Sequence, residues 1–137
     1  MEEFFINIII RGDIFNLGSL NLSRFVVDGY TSDAKIDWDS LAESSSILVR
    51  FLDNVVTWNE DLNALEKQRI AAHDTRRLGL GIMWIADMLN QLGLGYDSEK
   101  GMKTIAKIME FITNAAYQAS ASLAAEKGAS PIYSEEK

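Results

Sequence analysis

An apolar rhythm in the last third of the chain is the feature that most constrains the fold. Apolar residues recur there at helical spacing, namely Met102, Ile105, Met109, Ile112, Ala116, Ala119 and Leu123. Spacings of three, four and seven residues place these side chains on one face of an α-helix. Asp97 or Ser98 is the predicted N-cap. Lys127 and Gly128 mark the predicted end, and Pro131 is expected to prevent the helix from resuming.

Three earlier stretches also have helical character. One begins near Asp37, a suitable cap, with Ser40 and Glu43 as an alternative capping box. It carries an apolar stripe of Leu41, Leu48, Phe51, Leu52 and Val55. A second is predicted over residues 62–74, with Leu62, Leu65 and Ile70 facing inward. A third covers residues 85–92 and is predicted to stop at Gly93.

Strand signals are short and few. Residues 4–10 are dense in β-branched and aromatic residues and predict a strand, and residues 25–27 form a second apolar stretch that ends at Asp28-Gly29. Residues 15–22 are rich in Asn, Gly and Ser and predict a structured loop. Two glycines within residues 78–83 indicate a strand or a tight connection where backbones approach closely. The expected fold is therefore mainly α, with one or two short strands.

Length and charge narrow the functional classes. The 137 residues allow one domain. Thirteen basic residues against 20 acidic ones give a net charge of −7, which disfavours nucleic acids and anionic membrane surfaces as partners. The apolar run at residues 4–10 is too short to span a bilayer and does not resemble a signal peptide, so a cytoplasmic location is expected.

The chain has no cysteine and a single histidine, His73. A disulfide framework, a thiolate zinc site, an iron–sulfur cluster and a thiol nucleophile are thereby excluded. His73-Asp74 resembles the paired ligands of metal phosphohydrolases, but such sites need further histidines. A histidine on the flank of a helix is the simpler interpretation, and no metal site is predicted.

Other local motifs also have simpler structural interpretations. Arg11-Gly12-Asp13 spells an adhesion tripeptide but predicts a turn. Gly79-Leu80-Gly81 opens like a dinucleotide fingerprint, yet Trp84 occupies the place of its third glycine. The acidic group of Asp37, Asp39 and Glu43 suits the positive end of a helix better than paired acid–base catalysis. Core or interface packing is the expected role of Trp38, Trp58 and Trp84, and core filling that of Met83, Met88, Met102 and Met109.

Read in order, several segments resemble the catalytic subunit of ribonucleotide reductases. The segment Asn16-Leu17-Gly18-Ser19-Leu20-Asn21-Leu22, followed by Arg24-Phe25-Val26, is similar to the asparagine-leucine-glycine segment of that family. The later matching segments are Asp37-Trp38, residues 49–55, residues 76–83, residues 86–89, Leu92-Gly93, residues 96–99, residues 116–120 and residues 123–128. Their order and spacing fit the adenosylcobalamin-dependent (class II) branch best. The resemblance covers residues 15–133, which leaves residues 1–14 as an unmatched strand and turn and residues 134–137 as a frayed tail.

The resemblance implies a helical slice of a ten-stranded α/β barrel. It also implies an enzyme that reduces ribonucleotides to deoxyribonucleotides, in which a cysteine thiyl radical abstracts the 3′ hydrogen and a cysteine pair supplies electrons. The family's redox cysteine sits beside its asparagine-leucine-glycine segment, so Asn16, Leu17, Gly18 and Ser19 are expected near the substrate pocket. Arg76 and Arg77 are expected to be ion-pair partners rather than phosphate ligands.

The departures from the family pattern concern the chemistry itself. Phe15 stands where the class II pattern has its redox cysteine, residues 1–14 lack the family's finger-loop motif, and Trp84 replaces a typical glycine. No catalytic residue is therefore assigned, and the chain alone is predicted to be inactive. Three hypotheses stay open: a part of a split reductase that needs the remaining polypeptide or self-association, a cysteine-free relic acting as an acidic helical interaction module, and an unrelated small helical protein. Adenosylcobalamin is implied for the complete enzyme only.

Overall fold

The computed structural model describes residues 16–59, 62 and 64–135. Its strands are β1 (Asn16–Asn21), β2 (Val26–Val27), β3 (Lys35–Ile36) and β4 (Leu78–Met83). Its α-helices are α1 (Trp38–Asn59), α2 (Glu66–Thr75), α3 (Ile85–Gln91), α4 (Glu99–Lys127) and α5 (Pro131–Glu135), and a 3-10 helix covers Leu22–Phe25. The mainly helical class is confirmed. The predicted strand at residues 4–10 and the turn at residues 11–13 lie outside the described residues.

A parallel pair of strands organises the first half of the chain. Strand β1 pairs with β4 in register from Asn16 opposite Leu78 to Asn21 opposite Met83. Parallel strands need a long crossover, and here α1 and α2 supply it. The prediction of a loop over residues 15–22 is wrong for β1. Backbone N–H and C=O groups of this segment pair with β4, a partner that the local sequence does not reveal.

A small antiparallel pair stands beside this unit. Val26 pairs with Ile36 and Val27 with Lys35, and the intervening loop turns back through left-handed residues at Asp28 and Tyr30. The amide of Tyr30 donates to the carbonyl of Gln91 at 2.8 Å, which ties this loop to the end of α3.

The core lies where β1, the 3-10 helix, α1, α3 and α4 meet. Its buried members are Leu20, Leu22, Leu41, Met88, Ile108 and Ile112. Trp38 packs edge-on against Phe111 with ring centroids 4.8 Å apart, as a core role for this indole predicts. Helix α4 begins at Ser98, whose hydroxyl accepts from the amide of Gly101 at 3.0 Å. It ends at the left-handed Gly128, so both predicted limits are confirmed.

Several predictions of orientation are wrong. Leu62, Leu65 and Ile70 are exposed, and α2 begins at Glu66 rather than at residue 62. Phe51 is exposed, whereas Ser45 is fully buried because its hydroxyl donates to the carbonyl of Leu41 at 2.7 Å. Among the four methionines expected in the core, only one is buried; the exposed ones are Met83, Met102 and Met109.

Pro131 does not end helical structure as predicted. It opens α5, where its missing amide is tolerated because first-turn amides have no partner within the helix. Residues 134 and 135 close this short helix, and residues 136 and 137 lie outside the described part of the chain.

Candidate functional site

One face of the β1–β4 pair is open, and it carries part of the predicted site. Side chains alternate between the two faces of a strand. Leu20 of β1 is buried in the core, on the side that α1 covers, whereas Leu17 and Ser19 are exposed on the other side. We call the latter side the open face; it comprises Leu17, Ser19, Asn21, Gly79, Gly81 and Met83.

The structure therefore divides the predicted substrate-pocket residues. Leu17 and Ser19 lie on the open face. Gly18 lies on the opposite face, where an added Cβ would come within 2.8 Å of the Leu48 Cδ1 atom of α1. Asn16 shares that helix-covered side by alternation. Only two of the four predicted residues can thus meet a molecule that approaches the open face.

The two glycines of β4 explain how the open face keeps its shape. Gly79 pairs with Leu17 and Gly81 with Ser19. A Cβ at Gly79 would collide with Leu17 Cδ2, and one at Gly81 would lie 2.8 Å from Ser19 Oγ. Each glycine thus leaves the space that a β1 side chain occupies. The strand interpretation of residues 78–83 is confirmed, but the group nearest each glycine is a side chain of β1, whereas the sequence indicated a close approach of backbones.

Polar and strained residues follow the carboxyl ends of both strands. Asn21 closes β1, and its Oδ1 accepts from the amide and the hydroxyl of Ser23 at 3.1 and 2.7 Å. Trp84 follows β4 with φ of 62°, a left-handed conformation that favours glycine, and its ring is largely exposed. A helix covers one face of this strand pair and the other face is open, which is an arrangement that α/β barrels and open α/β sheets share.

Asp37 caps the start of α1. Asp37 accepts from the Ser40 amide at 3.0 Å and from the Ser40 hydroxyl at 2.8 Å. These hydrogen bonds hold the pKa of Asp37 below its ordinary value. The simpler interpretation is confirmed for Asp37.

The other residues that the sequence analysis singled out have a structural role or show none. His73 lies exposed on α2, with its Nδ1 3.2 Å from Asp74 Oδ1. Arg76 pairs with Asp53 at 2.7 Å, as an ion-pair role predicts. Trp58 and Trp84 are exposed, so a core role is wrong for these two.

Residues 16–59, 62 and 64–135 do not form a metal centre. Within the described residues, no group of three or more His, Asp or Glu side chains is arranged to hold a metal ion. The only imidazole of the chain is bonded to its neighbour Asp74. No step of a reaction is therefore derived through a cofactor on this chain.

No helix among the described residues is long and apolar enough to cross a membrane.

Comparison with known proteins defines the class first. The family model for the barrel domain of ribonucleotide reductase matches residues 13–137. The chain therefore belongs to the ribonucleotide reductase family, as part of its barrel domain.

Curated relatives then specify the branch. The chain is 40% identical over 124 residues to a vitamin B12-dependent ribonucleoside-diphosphate reductase of Mycobacterium tuberculosis, covering 89% of this chain and 17% of the relative. It is 41% identical over 118 residues to the enzyme of the same name from Thermoplasma acidophilum, covering 86% of this chain and 15% of the relative. A ribonucleoside-diphosphate reductase subunit alpha of Chlamydia pneumoniae is 36% identical over 124 residues, covering 90% of this chain and 11% of the relative. The chain thus spans about one-sixth of the B12-dependent relatives.

Proposed function

We propose that the chain serves as a structural part of a ribonucleotide reductase catalytic barrel, in which the remaining polypeptide supplies the cysteines. The single observation that carries this proposal is the open face of β1 and β4. Parallel sheets are buried on both faces in nearly all proteins, because the helices of the crossovers cover one face and further protein covers the other. Here α1 covers one face, and Leu17 stands 79% exposed on the other.

The chemistry of the complete enzyme supports a non-catalytic role for this segment. Reduction by a thiyl radical and a dithiol requires sulfur, and the chain has no cysteine. Its own contribution is then to hold Leu17 and Ser19 on the interior surface of the barrel, close to the substrate, while α1 and α4 form the outer layer. Adenosylcobalamin binds to the remaining polypeptide in this proposal, and the location is the cytoplasm.

Other exposed apolar side chains agree with a larger assembly. The remaining parts of a barrel would cover some of this surface. The exposed set includes Leu17, Ile47, Phe51, Trp58, Leu62, Leu65, Ile70, Met83 and Trp84.

The test is recovery of the tagged chain from its native cell, with partners identified by mass spectrometry. Near-equal recovery of a polypeptide that carries reductase cysteines is the expected result. Recovery of the chain alone, folded and monomeric, would overturn the proposal and support a catalytically inactive helical relic. Recovery of only a homo-oligomer would also overturn it, because self-association supplies no cysteine.

A further inference from the structure

The strongest feature outside the open face is an ionic cluster centred on Asp53. Asp53 lies on α1 and is only 8% exposed, and the turn after α2 and the end of α4 each send one cation to it. Sequence reasoning missed this residue, because an acidic side chain in the middle of an amphipathic helix normally points to solvent. Its position between the buried Val49 and Val56 was the available signal.

The first arm of the cluster reaches the turn that precedes β4. Arg76 Nε and Nη2 donate to Asp53 Oδ1 at 3.1 and 2.7 Å, and Nη2 also donates to the Asp53 carbonyl at 3.1 Å. Thr57 Oγ1 accepts from the same Nη2 at 2.7 Å. One guanidinium therefore bonds both the side chain and the backbone of α1, which fixes its orientation as well as its position.

The second arm reaches the end of α4. Lys127 Nζ donates to Asp53 Oδ2 at 2.6 Å and to Asn54 Oδ1 at 2.8 Å. The two carboxylate oxygens of Asp53 thus serve two different cations from two different elements. Burial opposes ionisation of Asp53, but the hydrogen bonds and charges of Lys127 and Arg76 outweigh it and hold its pKa below the ordinary value.

The arm from Arg76 bears on the geometry of β4. Arg76 has φ of 44° and ψ of 44°, a left-handed conformation in a residue that is not glycine, and its amide closes α2 by donating to the Ala72 carbonyl at 3.0 Å. Such a conformation persists only where the surroundings fix it. Helix α2 has no buried side chain of its own, so packing does little to fix it. Two residues later Leu78 begins β4.

We infer that Asp53 is a positioning residue that holds the left-handed turn at Arg76 and so fixes where β4 enters the sheet beside β1. This role concerns the fold of this chain and goes beyond its membership of a reductase barrel. In the observed register Leu17 lies over Gly79 and Ser19 over Gly81, so the shape of the open face depends on where β4 enters the sheet.

The experiment is hydrogen exchange of the backbone amides of the full chain. Asp53→Asn keeps the shape of the side chain and removes its charge. Glu126→Gln is the matched control, because the Arg50–Glu126 pair also joins α1 to α4 but is about half exposed. The β4 amides of residues 79–83 are compared with the amides around Ile108 in the core.

The expected result is local. Exchange of the β4 amides rises at least about tenfold in Asp53→Asn, as loss of a hydrogen bond to a charged group predicts, while the Ile108 region changes less. Glu126→Gln leaves the β4 amides unchanged. An equal rise in both regions would reduce Asp53 to a general stabiliser and overturn the inference, as would unchanged β4 exchange.

A pH series on the unaltered chain keeps the test decisive if Asp53→Asn does not fold. The charged groups around Asp53 are Arg50 on α1, Arg76 at the turn, and Glu126 and Lys127 on α4. The basic groups stay protonated in acid, so the charge of this cluster changes when the carboxylates of Asp53 and Glu126 take up protons. The variant Glu126→Gln separates the effect of Asp53 from that of Glu126. Protection of the β4 amides should fall below pH 4 before that of the Ile108 region, in the unaltered chain and in Glu126→Gln alike. Simultaneous loss in both regions would contradict the inference.

Discussion

Replacing a single leucine on either face of β1 tests whether the open face is a buried surface of a larger barrel. Leu17 and Leu20 lie three residues apart on the same strand, but Leu17 is 79% exposed and Leu20 is 7% exposed. Leu17→Ala removes little packing from the isolated chain, so its free energy of unfolding should change by less than about 0.5 kcal/mol. Leu20→Ala empties part of the core and should lower that free energy by about 2–5 kcal/mol.

For assembly with the remaining reductase polypeptide, Leu17→Ala should have a larger effect than Leu20→Ala. Covering Leu17 removes three carbon atoms more from water than covering alanine does, worth about 2 kcal/mol at about 0.8 kcal/mol for each buried carbon. The dissociation constant of the complex should therefore rise about 30-fold in Leu17→Ala, since each 1.4 kcal/mol corresponds to about tenfold.

Two assays separate these effects. Urea unfolding followed by circular dichroism measures the isolated chain, and biolayer interferometry with the co-purified reductase polypeptide measures assembly. Equal destabilisation of the isolated chain by Leu17→Ala and Leu20→Ala would show that the face is already covered. Unchanged affinity in Leu17→Ala would show that the partner does not cover it. Either result would refute the reasoning about the open face.

Three further predictions concern local structure. Tyr30→Gly relieves a left-handed backbone at a side chain that is 77% exposed and should raise the unfolding free energy by up to about 1 kcal/mol. Tyr117→Gly, at a position 74% exposed inside α4, should lower it by about 0.5 kcal/mol in the same urea assay. Ser98→Ala removes the N-cap of α4 and should cost about 1 kcal/mol in thermal unfolding; an unchanged melting temperature would contradict the cap. Asp37 has a pKa below its ordinary 3.8, so its stabilisation is complete above that value and is lost as the pH falls through the lower folded value. Asp37→Asn should therefore flatten the acid limb of the stability profile, and an unchanged limb would exclude this contribution.

Local sequence signals predicted the helices better than the strands. The limits of α4 were predictable because Ser98 and Gly128 are residues that helix ends select for steric and hydrogen-bonding reasons. Strand β1 was not, because Asn, Gly and Ser have low strand propensity and only the partner β4 makes that segment a strand. The orientation of α2 was also wrong: its neighbouring apolar residues Leu62 and Leu65 find no partner among the described residues that buries them.

The candidate site shows the same division. The family resemblance pointed to residues 16–19 as a group, but the alternation of a strand places Leu17 and Ser19 on one face and Gly18 on the other. The sequence indicated an ion-pair role for Arg76 but not the partners that form the ionic cluster, since these are separated by 23 and 74 positions along the chain.

The sequence by itself determined the helical class, the ends of α4, the acidic charge, the membership of the reductase family and the absence of cysteine chemistry. These properties depend on residue type and near-neighbour spacing, which a linear chain displays directly. Only the tertiary structure decided that residues 16–21 form a strand, which of their side chains stay open, and that Asp53 ties two cations from distant elements. Such properties depend on contacts between residues far apart in the chain, and their energies exist only once the backbone has folded.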